Sequence, residues 1–462
     1  MTWSPAVELR PSRIALIALA AAPVIGVGAA VSPRRTVEAA LALALVLLIV
    51  RSLLFGVILF VVVTFPSNLP HVAGAGATLA KPVGAALAIS WVYGLLAARD
   101  RSRLRVLVRN EPAIAALLVA FGAWALISAA WAFDSGVARS EASRLLQVLL
   151  LVFIVFTAVR SARDLRLVAL WFVMASGVMS GYALASGVTT AGRLTGGVAN
   201  ANMFAAELVA AGFLGVFMLG VPLHRRQRLL VLASLAVDAM AFVRTGSRGG
   251  LVALAVAFVL AVALAGPLRA RIVGGGLIAA AAAVAYYVSF APAQLKEHVM
   301  AVTPQASASR TDLWKIALRM AHDHLFLGAG LGNFRLLEFR YLPQTINLLN
   351  VQEELRYGLV AHNTYLEILA ELGLVGLLLF AAVCVAVAAA GLRAYAALVR
   401  SGDPTAFVVR GLLVGTAGLL VAYFFDSGEY EKQLWTLLAL VASSTCAVAV
   451  RHRAATPAQR GR

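Results

Sequence analysis

Apolar runs of roughly 15–22 residues recur along almost the whole chain, and no other feature limits its fold as strongly. They are rich in Leu, Ala and Val and show no strict alternation. Hydrocarbon offers the backbone no hydrogen bonds, so each N–H and C=O inside it needs an internal partner, which only helices and closed barrels provide. Runs of this length match helices crossing about 30 Å of hydrocarbon, not the shorter alternating strands of a barrel. Composition agrees: of 462 residues, 61% are hydrophobic and 13% charged, whereas a soluble chain is about 45–50% apolar. The expected fold is all-α, a polytopic integral membrane helical bundle of about 12–14 transmembrane helices with one large extracytoplasmic loop.

The expected spans are 14–31, 36–50, 52–66, 79–97, 112–132, 143–159, 165–186, 199–221, 228–243, 249–266, 271–291, 363–390, 405–425 and 433–450. The second and third are short and nearly continuous around Arg51. Arg10 and Arg13 precede the first run as in a signal peptide, but no convincing cleavage site follows, so it reads as an uncleaved helix. Net charge is +18. The arginines that make it concentrate in short connections: 99–109, 160–166, 225–228, 269–271, 393–400 and the 451–462 tail. With these spans, all of them and the N-terminus fall on one side. That is the pattern of a cytoplasmic face, so the charge reports topology and no nucleic-acid partner is expected. Cys384 and Cys446 each lie inside an apolar run and read as small apolar side chains.

The opposite side receives one long connection, 292–362. Within it Leu313, Trp314, Ala317, Leu318, Ala321 and Leu325 recur at helical spacing. That predicts a helix, either lying on the outer membrane surface or packing on the bundle. The outer side should be poor in cations, so its arginines are informative. Arg244 and Arg248 bracket the turn Thr245-Gly246-Ser247, and Gly249 and Gly250 open the next helix. Arginine at membrane depth costs roughly 2.5–3.5 kcal/mol and calls for a partner. A phosphate fits the guanidinium fork and a helix N-terminus; a buried carboxylate, Asp238 or Glu207, is the plainer partner. Arg310 opens Arg310-Thr311-Asp312-Leu313-Trp314, with Ser309 or Thr311 as candidate helix cap. Arg193 precedes a glycine-rich stretch that leads to Asn200 and Asn202, which either bond sugar hydroxyls or cap the following helix. His362-Asn363 starts another apolar helix, in which Glu367 and Glu371 share a face and Gly373 and Gly376 suit close helix contact. His322 and His324 alternate, a weak metal pair that reads more simply as loop surface, and no metal or cofactor is expected.

In this order the elements resemble the O-antigen ligase and O-antigen polymerase superfamily. The matching pieces are the 192–202 stretch, the Thr-Gly-Ser-Arg-Gly turn 245–249, the Arg-x-x-x-Trp element 310–314, and His362-Asn363 followed by Gly373 and Gly376. The glycine-rich 322–332 also fits, with Leu325 where a Pro is common. The resemblance covers about 190–385 and implies three regions: N-terminal transmembrane helices 1–190, a catalytic region 191–390, and C-terminal helices with a basic tail 391–462. It implies a multi-pass inner-membrane glycosyltransferase with both termini cytoplasmic. The donor would be an undecaprenyl-diphosphate-linked glycan and the acceptor a lipid or cell-wall glycan. Arg248 and Arg310, with Arg244 and Arg193, would hold the diphosphate. His362 would be the general base, and Asn200, Asn202, Asn363, Trp314 and Glu367 would support the glycan. Polymerase and ligase are not separated by these residues, and a protein-glycosylating enzyme shares the same chemistry. A lipid-linked sugar flippase is the alternative of another class; it calls for mid-membrane charge and symmetry-related repeats, and only Glu207 and Asp238 offer the former.

Overall fold

A computed structural model describes residues 33–66, 80–97, 107–187, 189–190, 192–196, 200–266, 269–300, 304–341 and 360–455. The first expected span, Arg10 and Arg13, Arg99 to Arg105, Gly197, the segment 342–359 and the last seven residues lie outside them. The helices are α1 (Pro33–Arg51), α2 (Leu53–Thr64), α3 (Ala80–Ala97), α4 (Pro112–Ile127), α5 (Ser135–Ala158), α6 (Ala162–Ser186), α7 (Ala201–Met218), α8 (Arg225–Thr245) and α9 (Arg248–Leu264). They continue as α10 (Arg269–Ser289), α11 (Ala293–Met300), α12 (Pro304–Asp323), α13 (Phe334–Tyr341), α14 (Thr364–Arg400), α15 (Thr405–Ala422) and α16 (Lys432–Ala455). A two-residue antiparallel pair, β1 (Thr189–Thr190) and β2 (Arg193–Leu194), is the only sheet among the described residues.

Every expected span from residue 36 onward falls on a helix. Seven are long and apolar enough to cross a membrane: α4 with its 3₁₀ extension, α5, α6, α7, α10, α14 and α15; α2, α3 and α9 are shorter apolar helices. α1, α8 and α16, also expected to span, stand outside those ten. α1 and α8 carry charge along their length, α8 through Asp238 as well as terminal arginines. Asp238 is buried and accepts hydrogen bonds from Ser180 (2.6 Å) and Ser176 (3.1 Å) on α6, which satisfies it without a cation.

α7 packs against α15 and α8, and α14 against α16, α4 and α15. The central cluster, with Phe121, Phe172, Phe204, Phe380 and Trp435, is fully buried. α10 has only Ile272 buried and turns Leu277, Ile278, Val284 and Val288 outward, as a helix facing lipid does.

The long connection folds onto the bundle. α12 buries Leu313, Ile316, Ala317, Met320 and Ala321 against α14 and α13, while Leu318 and Leu325 stay exposed. This is the packing alternative, with its face rotated from the expected stripe. The helix also begins earlier, at Pro304, a residue suited to a first helical position. Neither Ser309 nor Thr311 is therefore its cap. Gly373 interrupts α14 at φ 67°. The glycine-rich 325–330 segment docks there: Leu374 N–H donates to the Leu325 carbonyl (2.7 Å), Ala329 N–H to Ala370 (2.9 Å) and Gly330 N–H to Glu371 (2.8 Å). A Cβ on Gly328 would strike the Glu371 carbonyl, and one on Gly373 the Phe326 carbonyl. Gly373 thus serves contact between a loop and a broken helix, not between two helices.

Candidate active site at the head of α14

Asn363 caps α14: its side-chain oxygen accepts from the Tyr365 and Leu366 N–H groups (3.0 and 3.1 Å). The preceding His362 is the one described non-glycine residue with positive φ, 46°. Such a backbone is costly outside glycine and tends to persist where the surroundings fix it. What fixes it is the turn 423–428 between α15 and α16. Thr364 N–H donates to the Tyr423 and Asp426 carbonyls (both 3.0 Å), its hydroxyl donates to the Asp426 carbonyl (2.9 Å), and Gly428 N–H donates back to that hydroxyl (2.8 Å). The turn so held sets the Asp426 carboxylate 3.4 Å from His362 Nδ1, within ion-pair distance once the ring is protonated. Asp426 is buried, and its second carboxylate oxygen has no described partner.

Three arginines face this dyad. Arg193 is fixed by donating from Nε to the Thr245 carbonyl (2.8 Å) and from Nη2 to Asn202 (2.7 Å). The same Asn202 oxygen accepts from Ser247 (2.9 Å), the cap of α9. Asn200 takes the expected capping role at the start of α7, whereas Asn202 takes a role expected of neither and couples Arg193 to the Thr-Gly-Ser turn. Burial, then the positive charges of Arg310 and Arg248, push the Arg193 guanidinium below its usual range, while Asp426 acts in the opposite direction. Burial also lowers Arg310; Asp426 opposes that and Arg248 adds to it. Arg193 and Arg310 therefore share the fields of Arg248 and Asp426. Arg248 and Arg310 make no hydrogen bond or ion pair with a described residue. Neither carboxylate alternative pairs with Arg248: Asp238 accepts from serines, and the charges acting on Glu207 are Glu431 and Lys432.

Other expected residues take different places. Arg244, in the last turn of α8, is not joined to the cluster by any hydrogen bond or ion pair with described residues. Trp314 packs edge-on against Phe424 of the turn at 5.4 Å. Glu367 accepts a hydrogen bond from Ser427 and lies in the field of His362 and Arg335. Glu371 accepts from the Phe334 N–H (3.1 Å). His322 and His324 are exposed.

Residues 231–381 match the family model described as O-Antigen ligase. This stretch is similar to the O-antigen ligase family. No curated protein matches the chain. The matched stretch contains Arg248, Arg310 and His362, but not Arg193 or Asp426, which lie on either side of it in the sequence. Asp426 is the participant sequence reasoning left out. Its only signal is three carboxylates, Asp426, Glu429 and Glu431, within a short outer connection.

Proposed function

We propose that the chain transfers a glycan from undecaprenyl diphosphate to an acceptor hydroxyl at the outer face of the cytoplasmic membrane, without a metal ion. The observation that carries the reading is that Arg193 and Arg310 lie in the fields of both Arg248 and Asp426, with Asp426 3.4 Å from His362. The arginine-rich connections at the far ends of α5, α8, α10 and α14 support this orientation.

The donor's diphosphate lodges against Arg248 and Arg310, with Arg193 behind them. His362 Nδ1 faces Asp426, which leaves Nε2 for the acceptor. The imidazole takes the acceptor hydroxyl proton as the new bond forms from that oxygen to the anomeric carbon. The bond from that carbon to the phosphate oxygen breaks, and undecaprenyl diphosphate departs with the electron pair. Fixed guanidinium groups offset the charge growing on the leaving group, which is most effective in a preorganised, water-poor site. Asp426 stabilises the imidazolium, as a buried carboxylate does behind any histidine base. A single displacement inverts the anomeric centre. Asn202 holds Arg193, Asn363 sets the helix that presents His362, and Trp314 anchors α12 and hence Arg310.

The test is the purified protein in lipid nanodiscs with undecaprenyl-diphosphate-linked glycan and envelope acceptors, following both the conjugate and the lipid diphosphate released. Wild type should yield both and His362→Ala neither. One discrete conjugate marks a ligase and a ladder of lengths a polymerase. Unimpaired conjugate formation by His362→Ala would refute the reading.

A further inference from the structure

Beside the dyad opens a cleft of about 140 Å³ that takes no part in the chemistry above. Its charged and aromatic lining is Glu141, Arg144, Arg335, Glu367, Glu371 and Tyr430. Three elements are tied together to build it. Asp134 N–H, at the head of α5, donates to the Asn333 side chain (2.7 Å), and Phe334 N–H, at the head of α13, donates to Glu371 on α14. The walls are rigid: Arg144 pairs with Glu141 (2.7 Å) and lies over the Tyr430 ring at 4.7 Å. Tyr430 carries a buried hydroxyl with no described partner.

Two observations say what the cleft takes. The first is its charge. Three carboxylates face two guanidinium groups, whereas the neighbouring site gathers three arginines around one aspartate. A diphosphate belongs to the second. The first is a dense mixture of donors and acceptors with an aromatic wall, and it suits a neutral molecule covered in hydroxyls. The second observation is position. Glu367 joins the cleft to the dyad through Ser427, the neighbour of Asp426, and shares the field of His362. The charges acting on Glu367 are Arg335 and His362, and those on Glu371 are Glu367 and Glu141, not the three arginines. The cleft is therefore joined to the dyad through Glu367 and Ser427, apart from those three arginines.

We infer that this cleft is the acceptor subsite, binding an uncharged sugar of the acceptor glycan and turning one hydroxyl toward His362. The inference rests on the donor reading above. Its test uses the exposed Arg335, changed to Cys in the full-length protein and labelled with a membrane-impermeant maleimide. Methyl α-glycosides of glucose, galactose and mannose, and oligosaccharides released from the host envelope by mild acid, serve as protecting probes beside inorganic pyrophosphate. At twice its dissociation constant a bound probe should slow labelling about threefold. The expected result is protection by at least one neutral sugar and none by pyrophosphate. Protection by no sugar, or by pyrophosphate alone, overturns the inference. Undecaprenyl diphosphate binding by Arg335→Ala is measured in parallel: it should match wild type, and its loss would also overturn the assignment. Loss of binding only in Arg248→Ala leaves the donor reading intact whatever the labelling shows.

Discussion

The two ends of α14 treat arginine in opposite ways. At its C-terminal end Arg393 pairs with Glu111 at 2.8 Å. Beside it, Arg410 of α15 donates to the Ala265 carbonyl (3.0 Å) and the Tyr395 hydroxyl (2.6 Å), with the rings of Tyr395, Phe407 and Phe217 within 5.1–5.5 Å. Only its Nε lacks a described partner. At the N-terminal end Arg248 and Arg310 have no such company among the described residues, and Arg310 lies in the field of Asp426. A buried cation that serves the fold is surrounded by acceptors and rings that offset its desolvation. On the proposed function, one held in a polar mouth without them is kept for a ligand. The contrast separates structural from functional charge better than the residue type does.

The comparison can be broken most decisively at the dyad. His362→Ala should lower glycan transfer by about 10²–10⁴ with the melting temperature in detergent unchanged; an equal loss of stability would move His362 to the structural class. Next come the free arginines. Arg310→Ala should reduce kcat/KM about 10²–10³ at constant stability, whereas Arg410→Met should leave turnover per folded molecule intact and cost about 1–3 kcal/mol by stranding the carbonyl and hydroxyl it now satisfies. Differential scanning fluorimetry beside the transfer assay separates them. A similar cost, about 1–3 kcal/mol, is expected for Gly373→Ala, because a Cβ meets both an unfavourable φ and the Phe326 carbonyl.

The smallest effect concerns pH. Burial, then the negative charge of Glu367, raises the Glu429 carboxyl well above its usual range, and Glu429 lies in the outer turn beside the cleft. A carboxyl raised in the folded state favours folding while protonated. Its contribution is complete below the unfolded value near 4.3 and is lost as pH rises through the folded value. Glu429→Gln should therefore gain stability over wild type progressively as pH increases. Parallel melting curves for the two across the same pH range would contradict this.

The helices were legible in the sequence because each is an apolar run bounded by charge, glycine or proline, and lipid enforces that pattern. The candidate site was legible where a motif carried it: Arg248 in Thr-Gly-Ser-Arg-Gly, Arg310 four residues before Trp314, and His362 ahead of a capping asparagine. It was not legible where tertiary contact makes it. Asp426 stands 64 residues from His362, and no spacing links them. Arg244 shares a turn with Arg248, yet the helix end directs the two apart in role. Gly373 sits in Leu-Gly-Leu-Val-Gly, which reads as unbroken helix until the 325–330 segment is seen to dock on it.

The central claim is that the outer arginines hold a diphosphate. Equilibrium binding of undecaprenyl diphosphate to the purified protein, comparing Arg248→Ala and Arg310→Ala with Arg410→Met, tests it most directly. The account predicts that both outer variants weaken binding about tenfold or more, a loss of roughly 1.4 kcal/mol each, while Arg410→Met binds as wild type does. Unchanged affinity in the outer pair, or equal losses in all three, would contradict it.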